Sequence, residues 1–446
     1  MAARRAGGVG GMTLSRSGED FGRHAPSYYA ATAPAGPDAP ALEGSERADV
    51  CIVGGGFAGL GAALALARAG KAVRLVEAGP LGWGASGRNG GQVHMGWNQD
   101  QPWLERKLGL AKARALWDVA LAAREHLDGL LALDPDACDF RAGHVHADHR
   151  ARFVAGSHAH AAHMHEVYGY QDLRAVGREE MRALVDSPDY HGGIIDARGG
   201  HLHPLKLAQG IARAAAAAGA ALHGGSPCTA IKRSGAGWRV ETAGGTVEAG
   251  AVLVATGGYA TGLLPRIDAH VLPINNFIAV TAPLGAERAV QLIAGGRSVS
   301  DSRFVVRYFR MTPDHRLLFG GGESYGWRFP KDIGSFVRPH LERTFPQLAG
   351  TPFDYAWGGT LAITPDRLPH CQEVQPGLWS LNGFSGVGVV LGPYLGAAVG
   401  EMLAGKAGAA FAALRVLPGP RFPGGPALRW PTMVAALGFL GLRDRF

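Results

Sequence analysis

Cysteine is scarce in this sequence. Only four of the 446 residues are cysteines, with no C-x-x-C pairing and no spacing typical of a zinc site: Cys51, Cys138, Cys228 and Cys371. This excludes a disulfide framework and predicts a reducing, cytoplasmic location. Apolar runs long enough to cross a bilayer are also missing, and residues 1–20 lack the apolar core of a signal peptide. We therefore expect a cytoplasmic protein without a transmembrane segment.

Charge is sparse as well. Charged residues make up 18% of the chain, and 44 lysines and arginines against 37 acidic residues give a net charge of +7. The pI is about 9.4, yet the basic residues form no stripe with interleaved aromatics of the kind that nucleic-acid binding needs. We expect no nucleic-acid partner. The length and the 47% hydrophobic content indicate a globular protein with two domains.

A strand–turn–helix–strand pattern lies between residues 49 and 77. Its parts are an apolar strand, a G-x-G-x-x-G turn, an Ala/Leu-rich helix and a second strand, at residues 50–53, 54–59, 60–68 and 72–76. The pattern is typical of a dinucleotide site, in which the glycines permit a tight turn and a close approach of the backbone to the pyrophosphate. The helix N-terminus offers N–H groups and its positive dipole end to the phosphates.

The contacts predicted from this pattern are Gly54, Gly56, Phe57, Ala58, Gly59, Glu77 and Ala78. Glu77 ends the second strand, where it is placed to accept hydrogen bonds from a pair of ribose hydroxyls. A free carboxylate favours a ribose without a phosphate group, so the pattern favours FAD or NAD over NADP.

A glycine-rich loop follows the second strand. It reads A-S-G-R-N-G-G-Q at residues 85–92, and its small residues would let a ring system approach. Polar side chains in the loop are suited to bond a phosphate or the edge of a flavin. The contacts predicted here are Ser86, Arg88, Asn89, Gly90, Gly91 and Gln92.

These motifs, in this order, resemble the D-amino-acid-oxidase-type flavoprotein superfamily of FAD-dependent oxidoreductases. The resemblance is greatest to the γ-glutamylputrescine oxidases within it and runs through nearly the whole chain, including residues 27–30, 199–204, 317–322, 354–357, 422–425 and 441–444. It implies an α/β fold, in which a Rossmann-like FAD-binding domain is interleaved with an antiparallel-sheet substrate domain. Simple NAD dehydrogenases resemble the chain less, because the A-T-G-G strand end at residues 255–258 is a second FAD fingerprint.

Taken with the strand and helix patterns, the resemblance divides the chain into six segments. Residues 1–47 are expected to be a flexible lead-in on the surface. The FAD-binding domain is expected at 48–100, 191–264 and 356–446, the last with C-terminal helices that include one at 431–442. A helical and substrate-domain segment is expected at 101–190, with one or two long helices at 103–133. The antiparallel substrate sheet is expected at 265–355, with one strand at 304–309.

The resemblance also implies further cofactor contacts. The backbone at Cys228 would reach the adenine, Thr256 and Gly257 would approach the dinucleotide from the opposite side, and a helix N-terminus would face the pyrimidine end of the flavin. The residues implied at that last contact are Gly383, Ser385, Gly386, Val387 and Gly388. Relatives with covalent flavin carry a cysteine where this chain reads G-G-T-L at 358–361, so FAD should be noncovalent.

The implied reaction is oxidation of an amine, γ-glutamylputrescine or a related amine or amino acid, by hydride transfer to flavin. An imine and then an aldehyde would result, with oxygen as the electron acceptor. The alternative is a dehydrogenase of sarcosine, glycine, taurine or another small amine that uses a different acceptor. The substrate-side residues implied are His203, Tyr308 and Arg310. His203 precedes Pro204, so a helix-entry role is an equal alternative, and Tyr308 and Arg310 could equally be an outward-facing pair on a strand.

The segment from 144 to 165 is dense in histidine, which raises the question of a metal site. No cysteine or carboxylate completes a tetrahedral ligand set at a suitable spacing. We predict no metal.

Overall fold

A computed structural model describes residues 22–133, 138–259, 262–324, 328–425, 428, 429 and 431. The expected N-terminal tail at 1–20 lies outside them, and so does the helix expected at 431–442 except for its first residue. No helix within these ranges is both long and apolar enough to cross a membrane.

The chain mixes helices with single strands and with runs of consecutive strands. The helices are α1 (Tyr28–Thr32), α2 (Phe57–Arg68), α3 (Gln101–Leu108), α4 (Leu110–Leu131), α5 (Ala151–Tyr168), α6 (Arg178–Leu184), α7 (Pro204–Ala217), α8 (Pro265–Asp268), α9 (Ala286–Leu292), α10 (Ile333–Thr344), α11 (Gly388–Leu403) and α12 (Ala409–Leu414). The strands are β1 (Gly44–Val53), β2 (Val73–Val76), β3 (Gln92–Val93), β4 (Arg141–Ala147), β5 (Leu173–Val176), β6 (Gly193–His201), β7 (Ala221–His223), β8 (Cys228–Ser234), β9 (Gly237–Thr242), β10 (Gly245–Val254), β11 (Leu272–Thr281), β12 (Ser298–Asp301), β13 (Tyr308–Met311), β14 (Leu317–Ser324), β15 (Phe353–Ile363), β16 (His370–Gln375) and β17 (Leu378–Asn382).

The first sheet has the strand order β16-β17-β10-β1-β2-β7. Neighbours from β17 to β7 are parallel, whereas β16 pairs antiparallel at the edge and β8 and β9 form an antiparallel extension on β10. Val53 lies between Val76 and Val254 in the register, so three parallel strands end at the same edge. In parallel sheets this carboxyl edge is where ligands bind.

Helices α2 and α11 pack closely on one another beside this sheet. A Cβ atom on Gly61 would lie 2.2 Å from the Pro393 carbonyl oxygen, and one on Gly396 would lie 2.1 Å from the Ala58 carbonyl oxygen. Only glycine permits these backbones to come so near. The close contact brings the N-termini of both helices to the carboxyl edge of the first sheet.

The second sheet has the order β15-β11-β14-β13-β12-β4-β6-β3, with β5 paired on β6. Its pairs are antiparallel except β12 with β4. Phe277, Phe309 and Phe319 are fully buried between it and α10. Strands of this sheet alternate along the chain with those of the first sheet, which confirms the expected fold class, a Rossmann-like sheet interleaved with a largely antiparallel one.

Local predictions differ from the structure at two places. The lead-in was expected on the surface, but Tyr28 and Tyr29 in α1 are 5% and 0% exposed, because their rings pack against Trp357 and Leu205. The strand expected at 304–309 begins only at Tyr308. Before it the chain loops around Asp301, whose Oδ1 accepts hydrogen bonds from backbone N–H groups at 303 and 307.

Two helices, α3 and α4, occupy the region at 103–133, where the sequence predicted either one helix or two. Helix α3 ends and α4 begins at Gly109, which has a φ of +84°. That left-handed conformation favours glycine and separates the two helices.

Candidate functional site

A groove opens at the carboxyl edge of the first sheet, between the ends of β1, β2, β10 and β17. It is lined by many residues that the sequence predicted as cofactor contacts: Gly54, Gly56, Phe57, Ala58, Glu77, Ala78, Ser86, Asn89, Cys228, Thr256, Gly257, Ser385, Gly386 and Gly388. These come from four distant parts of the chain, which the parallel pairing of the sheet brings together.

The glycines of the turn after β1 are sterically required. Gly54 has a φ of +114°, and a Cβ atom on it would lie 2.5 Å from the Ala255 carbonyl oxygen. A Cβ atom on Gly59 would lie 1.9 Å from the Gly54 carbonyl oxygen, so Gly59 sets the helix against the strand and does not itself line the groove. The turn therefore exposes bare backbone to the groove.

The N-terminus of α2 faces the same groove. Its N-cap is Gly56, which has no side chain to occupy the free N–H groups of the first turn. The Phe57 N–H donates to Ser86 Oγ at 2.9 Å, which holds the following loop over the helix end. An anion in the groove would meet the positive end of the α2 dipole.

Glu77 lies at the end of β2 with both carboxylate oxygens engaged. Oε2 accepts from the Gly55 N–H at 2.6 Å and Oε1 accepts from the Gly79 N–H at 3.0 Å. Burial raises the pKa of this carboxyl, and the backbone hydrogen bonds oppose that shift. The Ala78 N–H also contacts this carboxylate, but its two oxygens together have about four lone-pair sites, so a hydroxyl donor in the groove can still be accommodated.

The opposite wall contains residues that the sequence interpretation missed. Asn382, at the end of β17, accepts from the Gly257 N–H at 2.6 Å and donates to the Val254 carbonyl at 3.0 Å. The Tyr259 hydroxyl accepts from the Thr360 N–H at 2.8 Å. Further missed lining residues are Trp83, Leu361 and Phe384. An asparagine at the end of an apolar strand was the available signal for Asn382.

The loop after β2 divides into lining and supporting residues. Ser86 and Asn89 line the groove, whereas Arg88, Gly90, Gly91 and Gln92 do not. Arg88 is 4% exposed, and it donates to the carbonyl groups of Trp83 at 2.6 Å and Gly358 at 3.2 Å. The Gln92 amide donates to the Val299 carbonyl at 2.7 Å. These two side chains tie the loop to the second sheet.

The loop before α11 divides in the same way. Ser385, Gly386 and Gly388 line the groove, but Gly383 and Val387 do not. Ser385 has a φ of 51°, and its Oγ accepts from the Thr364 N–H at 3.3 Å. The N-terminus of α11 has no side-chain cap. It therefore offers the groove a second set of helix N–H groups.

The predicted substrate-side residue His203 caps a helix. Its Nδ1 accepts from the Lys206 N–H at 3.2 Å at the start of α7, and its Nε2 lies 3.1 Å from Thr32 Oγ1. The ring is 2% exposed, and burial, aided by the charge of Arg310, lowers its pKa to about 3. The helix-entry role is confirmed, and His203 is not among the residues that line the groove.

The Arg310 side chain contacts other groups of the protein and is not open to solvent. Its guanidinium donates to the carbonyls of Gly90 at 2.9 Å and Leu202 at 3.2 Å and to the Tyr29 hydroxyl at 3.2 Å. It is 2% exposed. These contacts do not support the prediction that Arg310 binds a substrate carboxylate. They make Arg310 a positioning residue for the glycine loop.

Tyr308 packs on the same loop. Its ring occupies the space next to Gly90 and Gly320, where Cβ atoms would lie 2.6 Å and 2.0 Å from it. Its hydroxyl donates to Asn276 Oδ1 at 2.5 Å. A substrate contact for Tyr308 stays a prediction.

Histidines of the histidine-dense segment have hydrogen-bond partners within the protein. His158 and His165 contact backbone carbonyls, and His163 contacts Glu105 at 2.7 Å. Within the described ranges no group of three or more His, Cys, Asp or Glu side chains is placed to hold a metal ion.

Comparisons with known proteins agree with this geometry. A family model described as FAD dependent oxidoreductase matches residues 49–402. The chain is 41% identical to a probable oxidoreductase OrdL of Rhizobium meliloti (strain 1021), over 94% of this chain and 97% of that protein. It is 35% identical to the gamma-glutamylputrescine oxidoreductase of Escherichia coli (strain K12), over 95% of this chain and 99% of that protein.

Solved structures share the fold at lower identity. Glycine oxidase from Geobacillus kaustophilus superposes with a TM-score of 0.67 at 22% identity, covering 81% of this chain and 95% of that one. L-proline dehydrogenase from P. horikoshii superposes with a TM-score of 0.69 at 19% identity, covering 84% and 98%. The glycine cradle, the two helix N-termini and the buried acid at a strand end suit a dinucleotide. The chain belongs to the FAD dependent oxidoreductase family, and its cofactor is FAD.

Proposed function

We propose that this enzyme oxidises the primary amine of γ-glutamylputrescine, or of a closely similar alkylamine, to an imine that hydrolyses to an aldehyde. Molecular oxygen is the proposed electron acceptor. The observation that carries the proposal is the 35% identity, over almost the full length of both chains, to a protein named gamma-glutamylputrescine oxidoreductase.

The groove residues have distinct proposed roles toward FAD. Gly54, Gly56 and the first N–H groups of α2 would hold the pyrophosphate, and Glu77 would accept from the ribose hydroxyls. The first residues of α11 would face the pyrimidine end, where the helix dipole favours negative charge. Bound FAD supplies a hydride acceptor for the amine C–H bond.

The second sheet would complete the site by holding the glycine loop and excluding water. Arg310 ties Gly90 to Leu202 and Tyr29. A fixed loop keeps the substrate and the cofactor in one relative orientation, which is where an enzyme of this kind gains rate without a strong base.

We propose that FAD is bound noncovalently. Cys228 is a cysteine in the groove lining, and burial raises the pKa of its thiol to about 12, so it stays protonated and unreactive. A reducing cytoplasm is the proposed location, since all four cysteines of the chain are free thiols.

Anaerobic titration of the purified enzyme with γ-glutamylputrescine tests the proposal. The visible flavin absorbance should bleach, and readmitted air should restore it with one hydrogen peroxide per amine consumed. Bleaching by sarcosine, glycine or taurine but not by γ-glutamylputrescine would overturn the proposed identity of the substrate. Bleaching that air does not reverse, but an artificial acceptor does, would overturn oxygen as the acceptor.

A further inference from the structure

A second cavity, of about 390 Å³, lies beside the FAD groove. We name it the histidine chamber, after His94, His144, His146 and His160 in its wall. The Asn98 side chain is part of the wall and donates through Nδ2 to the Ser385 carbonyl at 2.8 Å. Since Ser385 lines the FAD groove, the chamber and the groove share a boundary at the start of α11.

Burial lowers the pKa of every imidazole in the chamber wall below its ordinary value. His144 contacts Ser298 Oγ through Nδ1 and Ser300 Oγ through Nε2, both at 2.9 Å, and its ring centroid lies 4.4 Å from that of His94. Burial lowers the pKa of His94 to about 4 and that of His144 well below its ordinary value, and a charge on His94 would oppose protonation of His144. Both nitrogens of His144 are engaged by the two serine hydroxyls. His94 donates through Nε2 to Gln92 Oε1 at 3.1 Å, so its Nδ1 is the acceptor nitrogen that a ligand can use.

His146 is one of the partly exposed rings of the chamber wall. It keeps 37% of its side-chain surface accessible. Its Nε2 lies 3.7 Å from Asp148 Oδ1.

The charged side chains in the described lining of the chamber are carboxylates. Its described lining includes the carboxylates of Asp100 and Asp196 and contains no lysine or arginine. A substrate carboxylate would therefore find no cationic partner there, whereas an ammonium group would find acceptors and opposite charge.

Asp196 has one oxygen left for a ligand. Its Oδ1 accepts all three of its hydrogen bonds, from the Tyr170 hydroxyl at 2.7 Å and from the N–H groups of Arg198 at 3.0 Å and Gly199 at 3.2 Å. Among the described residues none donates to Oδ2, although the residue is only 8% exposed. Burial and the nearby Asp172 raise the pKa of this carboxyl. A cation in the chamber would satisfy the oxygen and relieve the burial of negative charge.

Aromatic rings form the rest of the wall. Trp117 and Tyr170 meet edge to face with centroids 5.0 Å apart, and Trp97 lies in the same lining. Such rings favour a cation with an alkyl chain, through apolar contact and the negative ring face.

We propose that the histidine chamber receives the reacting primary alkylammonium end of the substrate, with Asp196 Oδ2 and His94 Nδ1 as hydrogen-bond acceptors. This inference rests on the proposed amine oxidation and narrows its substrate class. The enzyme selects amines without a carboxylate next to the reacting nitrogen, and it rejects α-amino acids such as glycine and sarcosine.

Binding of an unreactive cation to the holoenzyme tests the proposal without turnover. tert-Butylammonium has no hydrogen on the carbon next to nitrogen, so it cannot form an imine, and pivalate is its anionic counterpart of the same shape. Isothermal titration calorimetry should show binding of tert-butylammonium and none of pivalate. Equal or tighter binding of pivalate overturns the proposal.

The variant Asp196→Asn removes the charge but keeps Oδ1 for its three donors. We expect it to retain FAD and to weaken tert-butylammonium binding at least about tenfold, as for loss of a charged hydrogen bond. Asp118→Asn, at an exposed position on α4, is the control of equal charge change and should bind as the wild type does. An unchanged dissociation constant in Asp196→Asn overturns the proposal.

A second variant keeps the test decisive if Asp196→Asn does not fold. Ser157→Arg places a cation at a half-buried helix position in the chamber wall. It should abolish tert-butylammonium binding and introduce pivalate binding, and retained cation selectivity overturns the proposal.

Turnover of γ-glutamylputrescine distinguishes failure of the chamber assignment from failure of the proposed function. If the amine is oxidised but Asp196→Asn leaves its KM unchanged, the chamber assignment fails and the proposed function stands. If the cation binds as described but γ-glutamylputrescine is not oxidised, the chamber stands and the proposed substrate fails.

Discussion

The side-chain oxygen of Asn382 accepts a hydrogen bond from the backbone N–H of Gly257 at 2.6 Å, joining the ends of two neighbouring strands at the FAD groove. The Asn382 amide nitrogen donates to the Val254 carbonyl and to Ser380 Oγ, each at 3.0 Å. Asn382 is fully buried, so every polar atom of its amide is in use. One side chain therefore holds the turn after β10 in position.

Replacing Asn382 with aspartate should impair FAD binding. Asn382→Asp keeps the acceptor for the Gly257 N–H but removes both donors and buries a charge close to a cofactor that carries two phosphates. We expect the dissociation constant for FAD to rise at least about tenfold, measured by quenching of FAD fluorescence on adding apoprotein. The control, Gln291→Glu, adds the same charge at an exposed site on α9. FAD affinity equal to that of the control would contradict the role of Asn382.

The glycine turn allows a sharper steric test. In Gly54→Ala, the new methyl group would lie 2.5 Å from the Ala255 carbonyl oxygen in a backbone with a φ of +114°. We expect loss of FAD from the purified protein, seen as a low ratio of absorbance at 450 nm to 280 nm. Gly129→Ala in α4 is the control, because a Cβ atom there would meet nothing within 4 Å. Full FAD content in Gly54→Ala would show that the cradle is less constrained than its geometry indicates.

The parts of the site that the sequence predicted are those with a local pattern. The turn from Gly54 to Gly59 and the acid at Glu77 follow from spacing, because one strand, one helix and one further strand determine their positions. Trp83, Tyr259 and Thr360 carry no such pattern. The Tyr259–Thr360 hydrogen bond joins residues 101 positions apart, and only the packing of the two sheets brings them together.

The substrate-side predictions show a different limit. His203 and Arg310 were implied by the family resemblance, but a resemblance along the sequence does not indicate which way a side chain points. The structure uses His203 at the start of a helix and Arg310 beneath a loop. The sequence did not predict the histidine chamber, because the residues that form it are far apart in the chain. His94 and Asp196 lie 102 positions apart and line the same cavity because β3, β4 and β6 are adjacent in the second sheet.

His203 is expected to tolerate a conservative change. Asparagine is a good helix N-cap, so His203→Asn should retain kcat within about twofold and most of the stability. His203→Ala removes the acceptor for the Lys206 N–H and should cost about 1 kcal/mol of unfolding free energy, measured by urea denaturation. A fall in kcat of more than a hundredfold in His203→Asn, at normal FAD content, would restore a catalytic role.

Arg310 should act through the glycine loop. Lysine keeps the charge but cannot reproduce the fork that reaches Gly90, Leu202 and the Tyr29 hydroxyl, so buried acceptors lose their donors. We expect Arg310→Lys to lower the unfolding free energy by about 2 kcal/mol and to weaken FAD binding, both measured on the same preparation. The control is Arg338→Lys on α10, where the side chain is partly exposed. Normal stability with a higher KM alone would instead favour a direct substrate contact.

Buried histidines should make the protein less stable in mild acid. Burial lowers the pKa of His201 to about 3 and that of His370 to about 4, from an ordinary value of 6.5. Between those values the unfolded chain binds a proton that the folded chain excludes, so the unfolding free energy falls as the pH drops below 6.5. Each such group contributes ~1.4 kcal/mol per pH unit in this window.

The contribution of one histidine can be isolated by comparing slopes. Buried acids with a raised pKa, such as Asp301, oppose the effect at lower pH, so the comparison is best made between pH 7 and pH 5.5. The unfolding free energy of His201→Gln should depend less steeply on pH than that of the wild type, while His315→Asn at an exposed turn serves as the control for losing a histidine. Equal slopes in His201→Gln and the wild type would show that His201 gains its proton without unfolding, and that its contact with the Gly296 carbonyl can accommodate an imidazolium ion.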